Sequence, residues 1–259
     1  MKYALKSLLA AALVAGAAVG QAAVVAIDGA SSVFAGAAPI TFSEVAPGPF
    51  GDNPTIGSVS FGSFFAGQSL GDIFTCGAAT CVTGAPTAGT ALSLTSPAGV
   101  KVSILGDAAA GLNSPVLSGS GSLTQGAPIA MLFAQDVSAV SFLAGSFNNL
   151  GNTLVILFSR TGQELFRFSN PAQVTDPTAP IDFFNFAFGS SDGANSIAGV
   201  LISQTGTELA GFGVDNVRSV ITGTPTTGEP PSETSEPTSL ALVGLALLAV
   251  GASRRKRKG

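Results

Sequence analysis

Residues 153–168 read TLVILFSRTGQELFRF, and this stretch indicates the fold class of the whole protein. Two mainly apolar runs, 153–159 and 164–168, flank the polar segment 160–163. Each run has the length and the aliphatic and aromatic content of a β-strand, and the Thr-Gly pair between them is typical of a turn. The stretch therefore predicts a β-hairpin. The run 153–159 is apolar at successive positions, as is 181–188, so we place both centrally in a sheet.

Similar short runs recur between residues 23 and 222, separated by Gly, Ser, Pro, Asn and Asp. No helical periodicity accompanies them. About eleven strands with frequent turn signals predict an all-β domain, a β-sandwich of the jelly-roll type. Besides the three runs above, the predicted strands are 40–45, 58–65, 91–95, 100–105, 129–133, 137–144, 197–203 and 211–220.

The composition excludes the commonest catalytic chemistry. The chain has 259 residues, 46% of them hydrophobic, with no His and no Trp. Without His there is no Ser–His–Asp or Cys–His catalysis and no His-ligated zinc site. The segment 189–193, GSSDG, matches the hydrolase pattern G-x-S-x-G, but a strand follows it where that motif needs a helix. We therefore predict a turn there, no enzymatic activity and no catalytic residue.

The charge is unevenly distributed along the chain. Only four basic residues, Lys101, Arg160, Arg167 and Arg218, lie between the two basic ends, against fifteen acidic residues, which gives this interior part a net charge of −11. Such a surface repels phosphate backbones, so we expect no nucleic-acid partner.

The N-terminus has the three parts of a secretory signal peptide. Lys2 and Lys6 form a positive region, residues 8–19 form an apolar run, and small residues surround Gln21. We expect cleavage after Ala22, which makes 1–22 the signal peptide, with cleavage after Ala23 or Ala26 as the nearby alternatives.

The C-terminus has the layout of a membrane anchor. Residues 223–238 are rich in Thr, Pro, Glu and Ser and predict an extended linker. Residues 239–259 contain a 14-residue apolar stretch, SLALVGLALLAVGA, followed by a basic cluster. Such a stretch predicts a short membrane helix, and the basic cluster stays on the cytoplasmic side and leaves the domain outside.

This tail resembles the PEP-CTERM sorting signal of Gram-negative bacteria. The sorting motif corresponds to Glu236 and Pro237, preceded by Ser235, and the basic end to Arg254, Arg255, Lys256, Arg257 and Lys258. The resemblance implies that an exosortase-like enzyme removes the tail. It further implies a transient anchor in the inner membrane, followed by transfer to the cell surface or the extracellular matrix. The family is associated with exopolysaccharide and biofilm production.

Several stretches of the domain also resemble a recurrent extracellular domain of PEP-CTERM proteins. They lie within residues 40–220 and include FGSFF at 61–65, IAMLF at 129–133, IDFFNFAFGSSDG at 181–193 and GFGVDNV at 211–217. The resemblance supports the fold and the destination and implies no particular activity.

Cys76 and Cys81 are the only cysteines of the chain, in the sequence CGAATC. In an exported protein such a pair predicts a disulfide. By the loop-entropy model this bridge would contribute about 2 kcal/mol, because the loop that it closes is short.

One arrangement of acidic residues predicts a calcium site. Glu44 shares the alternating face of Ile40 and Phe42, which we assign to the core, where a carboxylate needs a partner. In the last strand the alternation breaks at Asp215 and Asn216, which predicts a β-bulge. If the first and last strands are neighbours, Glu44, Asp215 and Asn216 would supply oxygen ligands for Ca²⁺. The alternative is that Glu44 accepts backbone hydrogen bonds and that Asp215 only shapes the bulge.

The sequence favours an exported structural or adhesive protein of the cell surface or the exopolysaccharide matrix. The alternative is a carbohydrate-binding module of the same matrix. Trp and Tyr usually form the sugar platform of such modules. This chain has no Trp and its single Tyr, Tyr3, lies in the signal peptide, so Phe would have to take that role. A hydrolase that uses paired carboxylates is a third hypothesis.

Overall fold

The structure is a computed structural model, and it describes residues 23–71, 81–96, 101–106, 114–119, 127–145, 153–169, 183–204 and 212–223. The chain divides into two units, Met1–Thr222 and Gly223–Gly259, and all the described elements belong to the first. The predicted signal peptide, the membrane helix and all but the first residue of the predicted linker lie outside the described ranges. Within those ranges no helix has both the length and the apolar character to cross a membrane.

The described part is built from seventeen strands and one 3-10 turn, Ser32–Phe34. The strands are β1 Val24–Ala26, β2 Gly48–Pro49, β3 Thr55–Ile56, β4 Val59–Gly62, β5 Phe64–Phe65, β6 Ser69–Leu70, β7 Val82–Thr83, β8 Leu94–Thr95, β9 Ser103–Leu105, β10 Val116–Ser118, β11 Ile129–Val137, β12 Ala139–Gly145, β13 Thr153–Phe158, β14 Glu164–Ser169, β15 Phe183–Ser190, β16 Ile197–Gln204 and β17 Gly213–Val220.

Thirteen of these strands form two antiparallel sheets. Sheet A has the order β1-β15-β12-β17-β10-β9-β2, and sheet B has the order β14-β13-β16-β11-β4-β3. From β11 onward the chain passes from one sheet to the other at each connection except the β13–β14 hairpin, as it does in jelly rolls. The hairpin itself confirms the predicted turn, because the N–H of Ser159 donates to the carbonyl of Gln163 at 2.9 Å.

The inner faces of the two sheets share one apolar core, which confirms the predicted all-β sandwich. Its members alternate with outward-facing residues along each strand, as expected for strands with one face in the core. Phenylalanine fills much of this space: Phe142 of β12 stacks on Phe186 of β15 with ring centroids 5.6 Å apart. Met131, Leu157 and Ile202 contribute to the same core from sheet B.

The outer face of sheet B is covered by the two small strand pairs, β5–β8 and β6–β7. Phe65 and Leu92 pack there against Ile156, Phe158 and Leu201. This cover explains why β13 is apolar on both faces. The predicted central positions are wrong, however, because β13 and β15 each lie second from the edge of their sheet.

Two predicted strands differ from the structure. Residues 40–45 form no strand; Ile40 makes a single antiparallel bridge to Val217, and the chain then turns at Phe42, whose φ is 56°. The predicted strand 58–65 is divided at Ser63, so that β4 belongs to sheet B and β5 pairs with β8. The sequence continues its apolar alternation through both positions, Phe42 and Ser63. Alternation alone therefore does not show that the backbone changes direction there.

The outer face of sheet A is only partly covered. The segment 28–37, which we call the strap, leaves β1 and crosses this face. It is attached by Phe34, which is buried against Ala139 and Ala187. Beyond the strap, the outward-facing Ser118, Ser141 and Asp215 are also buried, so the described part of this face is accessible only in places, such as at the half-buried Arg218.

Candidate functional site

The three predicted calcium ligands differ in their exposure to solvent. Glu44 is exposed in the turn after Phe42, so its predicted position on the core face is wrong. Asp215 is 2% exposed and Asn216 is half-buried, both in β17. The bridge from Ile40 to Val217 does bring the segment of Glu44 beside the last strand, as predicted.

The predicted bulge in β17 is confirmed. Leu143 pairs with Asp215 and Ser141 with Arg218, so β17 has one more residue than β12 between these two pairs. Asn216 adopts a φ of 51°, a left-handed conformation that Asn tolerates better than most residues. The bulge places both Asp215 and Arg218 toward the outer face of sheet A.

Protein donors satisfy the buried Asp215 carboxylate. Ser114 Oγ donates to Oδ2 at 2.8 Å, and the backbone N–H of Asn216 donates to Oδ1 at 2.7 Å. Burial raises the pKa of Asp215 above its usual value, while these two hydrogen bonds oppose the shift. Both oxygens of the Asp215 carboxylate therefore accept hydrogen bonds from described residues.

No group of three or more His, Cys, Asp or Glu side chains that could hold a metal is present in the described ranges. Because Glu44 faces solvent, its predicted burial no longer argues for calcium. Cys81 is 5% exposed, but Cys76 falls in the range 72–80, which the structure does not describe, so the disulfide stays a prediction. The sorting residues also lie beyond the described part.

A cleft lined by phenylalanine opens where the edges of the two sheets meet. Phe168 of β14 and Phe184 and Phe186 of β15 line this cavity of about 210 Å³, together with Asn185. Phe184 and Phe168 are only half-buried, so their rings lie at the cavity surface. This aromatic cleft is the described cavity that best suits the apolar face of a ligand.

Asn185 lies between the aromatic cleft and the strap. The last hydrogen bond from the N-terminal segment to β15 runs from the N–H of Ile27 to the carbonyl of Ala187, at 2.9 Å. After Ile27 the N-terminal segment leaves β15, and Asn185 of β15 is exposed. Its side chain packs on Gly29 of the strap, in the space that a Cβ on that glycine would need.

The strap and Arg218 enclose an open depression of about 410 Å³. Gly29, Ser32 and Gly36 are among its lining residues. The half-buried Arg218 side chain makes no ion pair or hydrogen bond with any described residue. The other three cations of the domain are paired: Lys101 with Asp52, Arg160 with Asp136 and Arg167 with Glu164.

The described carboxylates show no free pair for acid–base chemistry. Three of the seven are held by the cations just named. Asp192 and Asp215 accept hydrogen bonds from Ser, Ala or Asn in their own surroundings. The remaining two, Asp28 and Glu44, are exposed, and Asp28 accepts the backbone N–H of Ala30.

The turn 190–195 holds both ends of the domain. The N–H of Ser191 donates to the carbonyl of Ala23 at 2.9 Å. Asn195 Nδ2 donates to the carbonyl of Thr222 at 2.7 Å, and the N–H of Thr222 returns a bond to Asn195 Oδ1 at 2.9 Å. The predicted first residue after cleavage and the last residue before the linker therefore lie at the same end of the sandwich.

Sequence analysis missed the aromatic cleft, Asn185 and the role of the strap. Arg218 could have been singled out, because it is one of only four basic residues between the two ends. The proximity of Arg218 to residues 29–37 could not have been predicted, since nearly the whole length of the domain separates them in sequence. The cleft likewise combines β14 and β15 with β1, which is distant from both along the chain.

The fold and the site define a β-sandwich domain with a phenylalanine-lined cleft at the sheet edges and an open depression between the strap and Arg218. No protein-family model matches the chain, and no curated protein does. Among solved structures it is similar to the K2 cleaved adhesin domain of Lys-gingipain, with a TM-score of 0.37, 11% identity, and coverage of 72% of this chain and 99% of that one.

It is also similar to the family 16 carbohydrate binding module-2, with a TM-score of 0.30, 16% identity, and coverage of 48% and 87%. A third structure is CBM29_1, a family 29 carbohydrate binding module from Piromyces equi, with a TM-score of 0.28, 12% identity, and coverage of 63% and 92%. Likeness at this level carries no argument about what the present chain binds.

Proposed function

We propose that this protein is a non-catalytic, exported β-sandwich that acts as a structural or adhesive component of the cell surface or the extracellular polysaccharide matrix. The observation that carries the proposal is the meeting of both domain ends at the turn 190–195. A signal peptide before Ala23 and an anchored linker after Thr222 would then leave the domain from one end. All other surfaces would remain available for contacts.

The length of the strands determines how far the domain extends from the end that carries both termini. Ile197 begins β16 just after the turn, and Gln204 ends this eight-residue strand. At about 3.3 Å per residue, the strand extends roughly 25 Å away from the end that carries both termini. The aromatic cleft and Arg218 lie on the side faces of this body. An exosortase-like enzyme would act on the linker, whose composition leaves its backbone accessible.

Carbohydrate binding is the second candidate function, and the aromatic cleft specifically favours it. The C–H faces of a sugar ring pack on aromatic side chains, and its hydroxyls bond to amide and guanidinium groups. Phe168 and Phe184 would supply the first kind of contact, and Asn185 and Arg218 the second. A matrix protein of this kind would adhere by holding polysaccharide directly.

Cell fractionation tests the exported structural role. We expect the protein in the matrix or outer surface fraction, with an intact mass that lacks residues 1–22 and the segment from residue 239 onward. Deletion of the gene should reduce cell adhesion or alter the matrix, and a full-length copy should restore both. A protein that stays in the cytoplasm, or that releases reducing ends from purified matrix, would contradict the proposal.

A further inference from the structure

Arg218 is the unusual charge on the outer face of sheet A. Arg218 as a whole residue is half-buried, and its guanidinium has five N–H donors but no acceptor among the described residues, whereas the other three cations of the domain each hold a carboxylate. A guanidinium gains most from a charged acceptor, because charge-assisted bonds are stronger than neutral ones. The site is therefore suited to an oxyanion supplied from outside.

The strap adds further donors around the same depression. Six of its backbone N–H groups are used within it. Those of Ser31, Phe34, Ala35 and Ala37 donate to carbonyls, and those of Ala30 and Val33 donate to the side chains of Asp28 and Ser31. The backbone N–H groups of Ser32 and Gly36 and the Ser32 hydroxyl have no described acceptor. These groups and Arg218 line one depression, and its lining residues include no carboxylate.

From this arrangement we infer that the depression binds the carboxylate of an acidic sugar in the matrix polysaccharide, with Arg218 as its charged contact. The inference rests on the proposed function and names the ligand class of its surface. The planar guanidinium matches a carboxylate in a two-bond geometry. The neighbouring Asn185 and the aromatic cleft would contact adjacent sugar units.

The acidity of the domain argues for a ligand of low charge density. Fifteen acidic residues against four basic ones between the chain ends repel a densely charged polyanion such as a nucleic acid. A polysaccharide with one carboxylate in a repeat of neutral sugars meets Arg218 locally and carries little charge elsewhere. An acidic peptide offers the same carboxylate without sugar rings for the cleft.

Calorimetric titration of the purified full chain tests the inference. The ligands are an oligosaccharide that contains uronic acid, the same oligosaccharide with its carboxylates reduced to alcohols, and an acidic peptide. We expect the uronate oligosaccharide to bind at least tenfold more tightly than its reduced form and the peptide. Arg218→Gln should abolish this preference. Arg167→Gln, which removes a cation already paired with Glu164, should preserve it.

Arg218→Lys provides a second variant if Arg218→Gln proves unstable. It keeps the charge and loses the planar fork, so it should weaken uronate binding several-fold. Equal binding of the uronate and reduced oligosaccharides, or a preference that survives Arg218→Gln in a folded protein, would overturn the inference while leaving the proposed matrix role intact. If the full chain binds neither these oligosaccharides nor purified matrix, both are wrong.

Discussion

Asp215 shows how one buried carboxyl group makes stability depend on pH. Its pKa is raised by burial, so the folded state binds a proton more readily than the unfolded state does. The resulting stabilisation is complete below the unfolded pKa of about 4 and is lost as the pH rises through the folded pKa.

The variant Asp215→Asn stays neutral and should not lose stability in this way. The difference in unfolding free energy between variant and wild type should therefore shift in favour of the variant as the pH rises from 3 to 7. Urea denaturation at several pH values measures this difference. A shift in favour of the wild type would mean that the folded pKa is lowered, as a bound cation would lower it.

Asn216 is the second residue whose effect can be isolated. Its left-handed backbone costs a residue with a Cβ roughly 1–2 kcal/mol, a cost that glycine avoids. Asn216→Ala should therefore unfold about 1 kcal/mol more easily than Asn216→Gly. Both variants lose the same side chain, so comparing their denaturation midpoints isolates the backbone term. Equal midpoints would show that the bulge does not require this conformation.

At the scale of elements, the cover of sheet B depends on close contact at Gly199 of β16. A Cβ on this residue would lie 2.6 Å from Phe65 Cζ and 2.8 Å from Leu92 Cδ2. We expect Gly199→Ala to lower the unfolding free energy by about 1–3 kcal/mol, because the cover must move away from the sheet.

Gly106→Ala is the matched control. Its Cβ would meet Pro47 at an ordinary 3.5 Å, and its backbone is not left-handed. Thermal melting should distinguish the two alanine variants clearly. If both melt alike, the small strand pairs are not packed tightly on sheet B.

Arg160 fastens the hairpin β13–β14 to an irregular part of β11. The register of β11 with β16 shifts between Leu132 and Val137. Within that interval Arg160 Nε donates to Asp136 Oδ1 at 2.8 Å, and Arg160 Nη2 donates to the carbonyl of Phe133 at 2.8 Å. The guanidinium thus provides hydrogen-bond donors to Asp136 and to the Phe133 carbonyl where the pairing of β11 with β16 is irregular.

Replacing Arg160 by Ala should cost about 1–3 kcal/mol, since a partly buried carboxylate and a carbonyl lose their donor. Arg167→Ala removes an exposed pair with Glu164 and should change stability by less than about 0.5 kcal/mol. Chemical denaturation of both variants compares them directly. A similar loss in each would contradict the fastening role of Arg160.

Local patterns predicted the elements that local chemistry determines. The Thr-Gly turn of the hairpin and the parity break at Asp215 and Asn216 are both present in the structure. The strand predicted at 40–45 is absent, because Phe42 adopts a positive φ that its side chain does not signal. The short strands β1, β2, β3, β6, β7 and β10 were missed, since two or three residues carry too little pattern.

At the scale of the whole molecule, the candidate site depends on contacts between distant parts of the chain. The strap reaches Arg218 only because β1 begins beside the turn 190–195, which also holds Thr222. Sequence analysis could supply the class of fold and the scarcity of cations. It could not supply the depression, which exists only once the N-terminal segment crosses sheet A.

The central claim is that the proposed exported domain adheres to the extracellular polysaccharide of its own cells through the depression between the strap and Arg218. Co-sedimentation of the purified full chain with that polysaccharide tests it most directly. We predict saturable retention in the pellet, weakened at least tenfold by Arg218→Gln and unchanged by Arg167→Gln. A chain that stays in the supernatant at every polysaccharide concentration would contradict the account.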